Sequence, residues 1–158
     1  SIPKNIKQAE RLTKTIFTPA TKAASGDHDE NIDYEKTCSI IGKKLAENVR
    51  DKAIKIYERA ARYAEKRGII IADTKFEFGI YNNRIILIDE LLTPDSSRFW
   101  GKEVYKEGQS QPSYDKQIIR DYLLQIGWDK NLPIPDLPQD IIEKTSKKYQ
   151  EVYNRLFG

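Results

Sequence analysis

The chain reads as an α+β domain in which helices pack on a small antiparallel sheet, and three observations predict this. Apolar residues recur at three- and four-residue steps over residues 33–67, the mark of a helix face. The period then drops to two over residues 75–80, the mark of a strand. Helical spacing returns in two blocks after Ser113. At 158 residues the chain has the size of one domain, and its Ile, Leu, Tyr and Phe content excludes disorder despite 32% charged residues.

Residues 1–32 form a connector ahead of a packed lobe at 33–158. Pro3, Pro19, Ser25 and Gly26 interrupt the connector, which carries one short amphipathic patch between Ile6 and Leu12. Asp33 suits a helix N-cap and Glu35 suits the positive end of the helix dipole. The apolar face that follows (Cys38, Ile41, Leu45, Val49, Ala53, Ile56, Ala60, Ala64) should break into two helices near Gly42. Gly68 fits a left-handed C-cap. Residues 69–73 are short, apolar and β-branched, as in a buried strand. Residues 75–80 alternate, with Lys75, Glu77 and Gly79 opposite Phe76, Phe78 and Ile80. Asn82 and Asn83 mark a hairpin turn, and residues 84–90 return, with 85–88 apolar enough to be buried on both faces. Residues 92–101 read as a loop. Ser113 can cap a helix running to Ile126, with Ile119, Tyr122, Leu123 and Ile126 inward, and Gly127 ends it. Pro138 opens a last helix that buries Ile141, Ile142, Tyr149, Val152, Tyr153 and Leu156.

Composition excludes several classes of function. No apolar run approaches the roughly 20 residues of a membrane-spanning helix, so no membrane partner is expected. A single cysteine, Cys38, rules out an internal disulfide framework or a multi-cysteine metal site and favours a reducing, cytoplasmic setting. No basic-then-apolar leader is present. The charges are mixed and net only +3, which does not make the basic stripe of a nucleic-acid binder. The chain begins at Ser1 and contains no Met, which points to a processed or cut chain.

The densest polar constellation lies in the hairpin. Asp73, Lys75 and Glu77 fall at every second position, and Asp89 with Glu90 ends the return strand. Charges on one strand face describe either a solvated edge or a site for a divalent cation such as Mg²⁺, which needs one or two carboxylates and fills its shell with water and phosphate oxygens. The next loop adds Asp95, Ser97 and Arg98. These could form an ordinary turn with a surface arginine, or a fork for a carboxylate or phosphate. Lys116 and Arg120 sit one helical turn apart.

Five segments resemble one family, the SAICAR synthetases (phosphoribosylaminoimidazole-succinocarboxamide synthases). They are Ile16-Phe17-Thr18-Pro19-Ala20-Thr21-Lys22; His28-Asp29-Glu30-Asn31-Ile32; Ile71-Ala72-Asp73-Thr74-Lys75-Phe76-Glu77-Phe78-Gly79; Leu92-Thr93-Pro94-Asp95-Ser96-Ser97-Arg98-Phe99-Trp100; and Pro112-Ser113-Tyr114-Asp115-Lys116-Gln117. The resemblance implies the family's ATP-grasp- and kinase-like α+β architecture, with this chain holding the larger lobe and the N-terminal β-rich lobe absent. It also implies an ATP-dependent ligase of purine synthesis that joins carboxyaminoimidazole ribotide to L-aspartate with Mg²⁺. This chain alone is then expected to be inactive. The alternative is a non-catalytic phosphosugar-binding or assembly module. Expected partners are those small molecules and the family's other lobe; a homo-oligomer is left open.

By the same resemblance, Glu77 and Asp89 match the metal and ATP-phosphate acids, and Lys22 and Asp29 match nucleotide-side positions. Asp73 and Lys75 are the candidate catalytic pair. Asp95, Ser97 and Arg98 match the ribotide and aspartate pocket, joined by Lys116 and Arg120 as anion-binding residues. A shared ion requires Glu77 and Asp89 on one face of the hairpin. That predicts a three-residue loop, Asn82-Asn83-Arg84, with Tyr81 opposite Ile85 and Glu77 opposite Asp89. His28 reads as a solvent-facing loop residue and Cys38 as an inert core thiol. Tyr57, Tyr149 and Tyr153 read as core aromatics, and residues 144–148 as a solvated face.

Overall fold

The computed structural model describes residues 3, 5–21, 29–89, 91–114 and 116–158. Its order is β1 (Ala20–Thr21), β2 (Glu30–Asn31), α1 (Tyr34–Ile41), α2 (Lys43–Glu65), β3 (Ile69–Thr74), β4 (Glu77–Tyr81), β5 (Arg84–Ile88), β6 (Ser97–Gly101), α3 (Gln117–Gln125) and α4 (Gln139–Phe157). The α+β class holds. The strands, however, form three separate two-stranded antiparallel ribbons, β1–β2, β3–β6 and β4–β5. The connector doubles back on itself, since β1 and β2 pair antiparallel within it.

Asp33 caps α1 as expected, its carboxylate accepting from the Lys36 N–H at 2.6 Å. Gly42 ends that helix at φ 83°, a left-handed value that costs glycine little. Its N–H donates to the Cys38 carbonyl and its own carbonyl accepts from Ala46, so one residue closes α1 and opens α2. Gly68, at φ 75°, makes the sharp entry into β3. The buried face of α1 and α2 is narrower than the periodicity implies. Ala46, Ala53 and Ala64 are buried, Cys38 is half-buried, and Ile41 is exposed. Small residues bring α2 close to β3.

The core joins Ala64, Ile69, Ile71, Phe99, Tyr114, Val152 and Leu156. Two of them lie where sequence reading expected no packing. Residues 92–101 are not all loop: Ser97–Gly101 is a strand whose Phe99 is 1% exposed and which saturates one edge of β3. Ser113 does not cap a helix. It bridges to Trp100, and its hydroxyl donates to the Phe99 carbonyl, so α3 begins only at Gln117. In α4, Thr145 takes an inward place, with its hydroxyl satisfied by the Ile141 carbonyl, while Ile142 and Tyr153 are exposed. Ile126 is exposed as well.

The hairpin differs in register. Tyr81 pairs with Arg84 and Glu77 with Ile88, so the loop has two residues, not three. Asn82 (φ 48°) and Asn83 (φ 57°) both accept the left-handed conformation that a two-residue hairpin turn requires. The return strand stops at Ile88. Among the described residues β4–β5 pairs with no third strand, Ile86 and Ile88 remain partly exposed, and β5 is not buried on both sides. The expected opposition of Glu77 and Asp89 is thus overturned. Asp89 lies one residue beyond the ladder at φ 68°, where the strand's alternation of faces no longer applies.

Candidate functional site

The pairing of β3 with β6 organises most of the polar candidates. The register runs Ile69↔Gly101 to Ile71↔Phe99, then shifts by one to Asp73↔Arg98 and Thr74↔Ser97. The extra residue is Ala72. Such a bulge re-aims the side chains after it: it sets Asp73 directly opposite Arg98 instead of Ser97. Arg98 grips Asp73 with two prongs, Nε donating to Oδ1 at 2.9 Å and Nη2 to Oδ2. Beside them the buried Ser97 hydroxyl donates to Thr74 Oγ1 at 2.8 Å. Ser97 therefore fixes the strand end, a role its sequence context did not reveal.

Asp73, Lys75 and Glu77 do not share one strand face, because β3 ends at Thr74 and β4 starts at Glu77. The chain turns at Lys75, whose N–H donates to the Ser96 carbonyl at 3.2 Å. Its ammonium meets Asp29 at 2.7 Å and Glu77 at 3.4 Å. Asp29 reaches it because β2 is held by β1, with Ile32 N–H donating to the Pro19 carbonyl. The hydrogen bond to Asp29 raises the Lys75 pKa, and Glu77 adds to the effect. Lys75 is thus a fixed cation and not a proton acceptor near neutrality.

Residues 93–96 form a tight turn closed by Ser96 N–H to the Thr93 carbonyl and by contacts between the two hydroxyls. Pro94 and Asp95 occupy its tip, a common use of both residues. Asp95 accepts from Lys116 Nζ at 2.9 Å, which ties this turn to the start of α3. Arg120 is exposed one turn further on.

Five of the candidates, Asp29, Asp73, Lys75, Glu77 and Arg98, line one cleft of about 1870 Å³ with Tyr57 and Phe76 in its walls. That exceeds the roughly 300–1,000 Å³ of a pocket for one small ligand. Asp89, Asp95, Ser97, Lys116 and Arg120 do not line it. Lys22 and His28 lie outside the described residues, as do Glu90 and Asp115. Among the described residues no group of three or more His, Cys, Asp or Glu side chains is disposed to hold a metal.

One group near the site was not foreseen. The Tyr114 ring is 6% exposed and its hydroxyl donates to Glu151 Oε1 at 2.8 Å. Arg155 Nη2 bonds Glu151 at 2.8 Å and Glu103 at 2.6 Å. Burial, and then the bond to Glu151, pushes the Tyr114 hydroxyl up to about 12. Burial also pushes Glu151 up, but Tyr114, Lys148 and Arg155 together outweigh it and its pKa is lowered. Only the four-residue spacing of Glu151 and Arg155 hinted at this network.

The family model described as SAICAR synthetase matches residues 1–135. A protein of Geobacter sulfurreducens named phosphoribosylaminoimidazole-succinocarboxamide synthase is 53% identical over the whole chain, which spans 53% of it. A protein of that name from Neisseria meningitidis serogroup B is 55% identical over 98% of the chain and 54% of its own length. The chain therefore spans about half the length of these relatives. Among solved structures, SAICAR-synthase from Saccharomyces cerevisiae complexed with SAICAR matches at TM-score 0.85 and 46% identity, over 98% of this chain and 50% of that one. A Type-2 SAICAR synthetase in complex with ADP matches at TM-score 0.67 and 29% identity, over 93% and 52%.

Proposed function

The chain belongs to the SAICAR synthetase family, and from that premise we propose that it forms the substrate- and metal-binding lobe of an ATP-dependent ligase of purine synthesis. The reaction joins the carboxylate of carboxyaminoimidazole ribotide to the amine of L-aspartate and converts ATP to ADP and phosphate. The observation that carries this reading is the set of ordered charge pairs along β3, β6 and their flanking turns: Asp73–Arg98, Lys75 with Asp29 and Glu77, and Asp95–Lys116.

A carboxylate is a poor acyl donor because it has no good leaving group. Its oxygen takes the γ-phosphoryl group of ATP, and ADP departs. The aspartate nitrogen then attacks the acyl carbon, phosphate leaves with the C–O electron pair, and the amine proton passes to phosphate or water. Both organic substrates are anionic, so positioned cations must hold them together. Arg98 supplies a two-pronged donor whose plane Asp73 fixes, and Lys116 supplies a second cation oriented by Asp95. Lys75, held protonated, stabilises negative charge and does not remove a proton. Ser97 steadies the strand end through Thr74, and Arg120 adds positive charge beside Lys116.

Two carboxylates suit Mg²⁺ by chemistry, although Glu77 lines the cleft and Asp89 does not. Glu77 and Asp89 are hard oxygen ligands, and Asp89 directly follows the cross-strand partner of Glu77. One or two carboxylates suffice where phosphate oxygens and waters complete the shell. These two residues would hold the ion, which neutralises phosphate charge during transfer. Lys22 and Asp29 are proposed on the nucleotide side.

Calorimetric titration of the 158-residue chain with SAICAR, and separately with ATP·Mg²⁺, tests the proposal. One-to-one binding of both supports it. SAICAR binding without ATP·Mg²⁺ favours the non-catalytic phosphosugar-binding module, and binding of neither contradicts the site.

A further inference from the structure

The turn into α3 is held from a distance. β6 pairs with β3 along one edge, and on its other edge it receives Ser113, bridged to Trp100, and Tyr114, whose N–H donates to the Phe99 carbonyl at 2.9 Å. Two residues later Lys116 reaches Asp95. What fixes it from the other side is Tyr114, whose ring sits in the core with Val152 and Leu156 and whose hydroxyl ends on Glu151.

Glu151 is itself braced. It accepts from Arg155, which also holds Glu103 just beyond β6, and Lys148 lies 3.5 Å from its other oxygen. Lys148 and Arg155 also sit 4.8 and 5.5 Å from the centre of the Tyr114 ring. A network of this kind costs side-chain entropy for four long side chains. Core packing by Val152 and Leu156 does not need it. Glu151 and Arg155 lie beyond residue 135, outside the span the family model matches.

We propose that Tyr114 is a positioning residue: braced by Glu151 and Arg155 of α4, it holds the turn that sets the Lys116 ammonium against Asp95. Its consequence for ligand binding rests on the substrate role proposed above for Lys116, whereas the placement itself does not. A buried hydroxyl bonded to a carboxylate is directional, so removing one oxygen frees the turn while leaving the ring's packing intact.

The test reads the Lys116 ammonium directly in the 158-residue chain labelled with ¹⁵N-lysine, with Lys116→Arg used for assignment. An ion-paired ammonium exchanges slowly enough to give a resonance, and Asp95→Asn should abolish it. Tyr114→Phe should weaken it at least fivefold with the melting temperature within about 5 °C of the parent. Glu151→Ala should do the same, and Glu151→Gln, which keeps an acceptor oxygen, should restore it. A full-strength resonance in both Tyr114→Phe and Glu151→Ala, or none in the parent chain, overturns the proposal. The dissociation constant for SAICAR separates the two layers. Lys116→Ala and Tyr114→Phe should raise it by the same factor, and the double variant no further. If Lys116→Ala leaves it unchanged while the resonance responds as above, the placement stands and the pocket role of Lys116 falls.

Discussion

Replacing Arg98 by Lys keeps the charge and removes the fork, so it separates geometry from electrostatics. The side chains of Arg98 and Asp73 are 57% and 50% exposed. An ion pair this accessible contributes about 0–1 kcal/mol to folding after solvent screening. At this chain length, 1 kcal/mol moves the melting temperature by about 2–4 °C, so Arg98→Lys should melt within about 4 °C of the parent chain. Ligand binding is more demanding. A ligand carboxylate or phosphate gripped by two prongs loses one charge-assisted hydrogen bond, worth roughly 1.5–3 kcal/mol, and the lysine ammonium recovers part of it. A net loss of about 1.4 kcal/mol is tenfold in the dissociation constant. Calorimetric titration with SAICAR, beside a thermal melt of the same sample, measures both. A dissociation constant within twofold of the parent would return Arg98 to the role of a surface charge. A tenfold loss with a melting temperature more than 10 °C lower would show damage to the fold instead.

Three further outcomes follow from the packing and the charges. Phe99 is 1% exposed, so Phe99→Ala should cost about 3–5 kcal/mol in urea unfolding; a cost under about 1 kcal/mol would remove β6 from the core. Tyr114 titrates higher in the folded chain, about 12 against the ordinary 10.0. Ionisation is disfavoured in the folded chain, so this group adds no pH dependence below pH 10, and stability falls as pH rises through 12, by about 3 kcal/mol in all. Tyr114→Phe should flatten the alkaline decline in urea midpoint by that amount, and an unchanged slope would refute it. On the acid side, Glu65 is lowered by the hydrogen bond from Arg11, and Glu103 by the one from Arg155. Lowered carboxylates stabilise above their ordinary 4.5, and that stability fades as pH falls below it. Melting temperature should drop below pH 4.5, less steeply in Glu65→Gln.

Local signals carried the helical half of the fold into view. Asp33 and Gly42 each act within a few residues of themselves, through a cap or a left-handed backbone, and each sits where the sequence placed it, while Gly68 takes its positive φ two residues past the α2 C-cap at Lys66. The ribbon β3–β6 was only half legible. Ile69 and Ile71 announce a buried strand, but Phe99 follows a Pro-Asp-Ser turn, and only its pairing with Ile71 across 28 residues of chain makes it a strand. The hairpin register failed for a related reason. Placing Asp89 opposite Glu77 requires a three-residue loop, whereas two asparagines that both tolerate positive φ favour the shortest turn. For the candidate site, residue types and motif order single out Asp73, Arg98, Lys75 and Glu77, which line one cleft, while Asp89, Asp95, Ser97, Lys116 and Arg120, singled out alike, do not. The Ala72 bulge that faces Asp73 to Arg98 has no local signature. Nor does the bond between Tyr114 and Glu151, 37 residues apart.

The ribotide and aspartate pocket proposed for this chain lies on β3, β6 and their flanking turns. Titrating SAICAR into the ¹⁵N-labelled 158-residue chain, while following every assigned backbone amide, tests it most directly. The predicted result is a saturable one-to-one response concentrated at Asp73, Lys75, Asp95, Ser97, Arg98 and Lys116, with the amides of α1 and the exposed end of α4 unmoved. A saturable response centred elsewhere, or none at millimolar ligand, would contradict it.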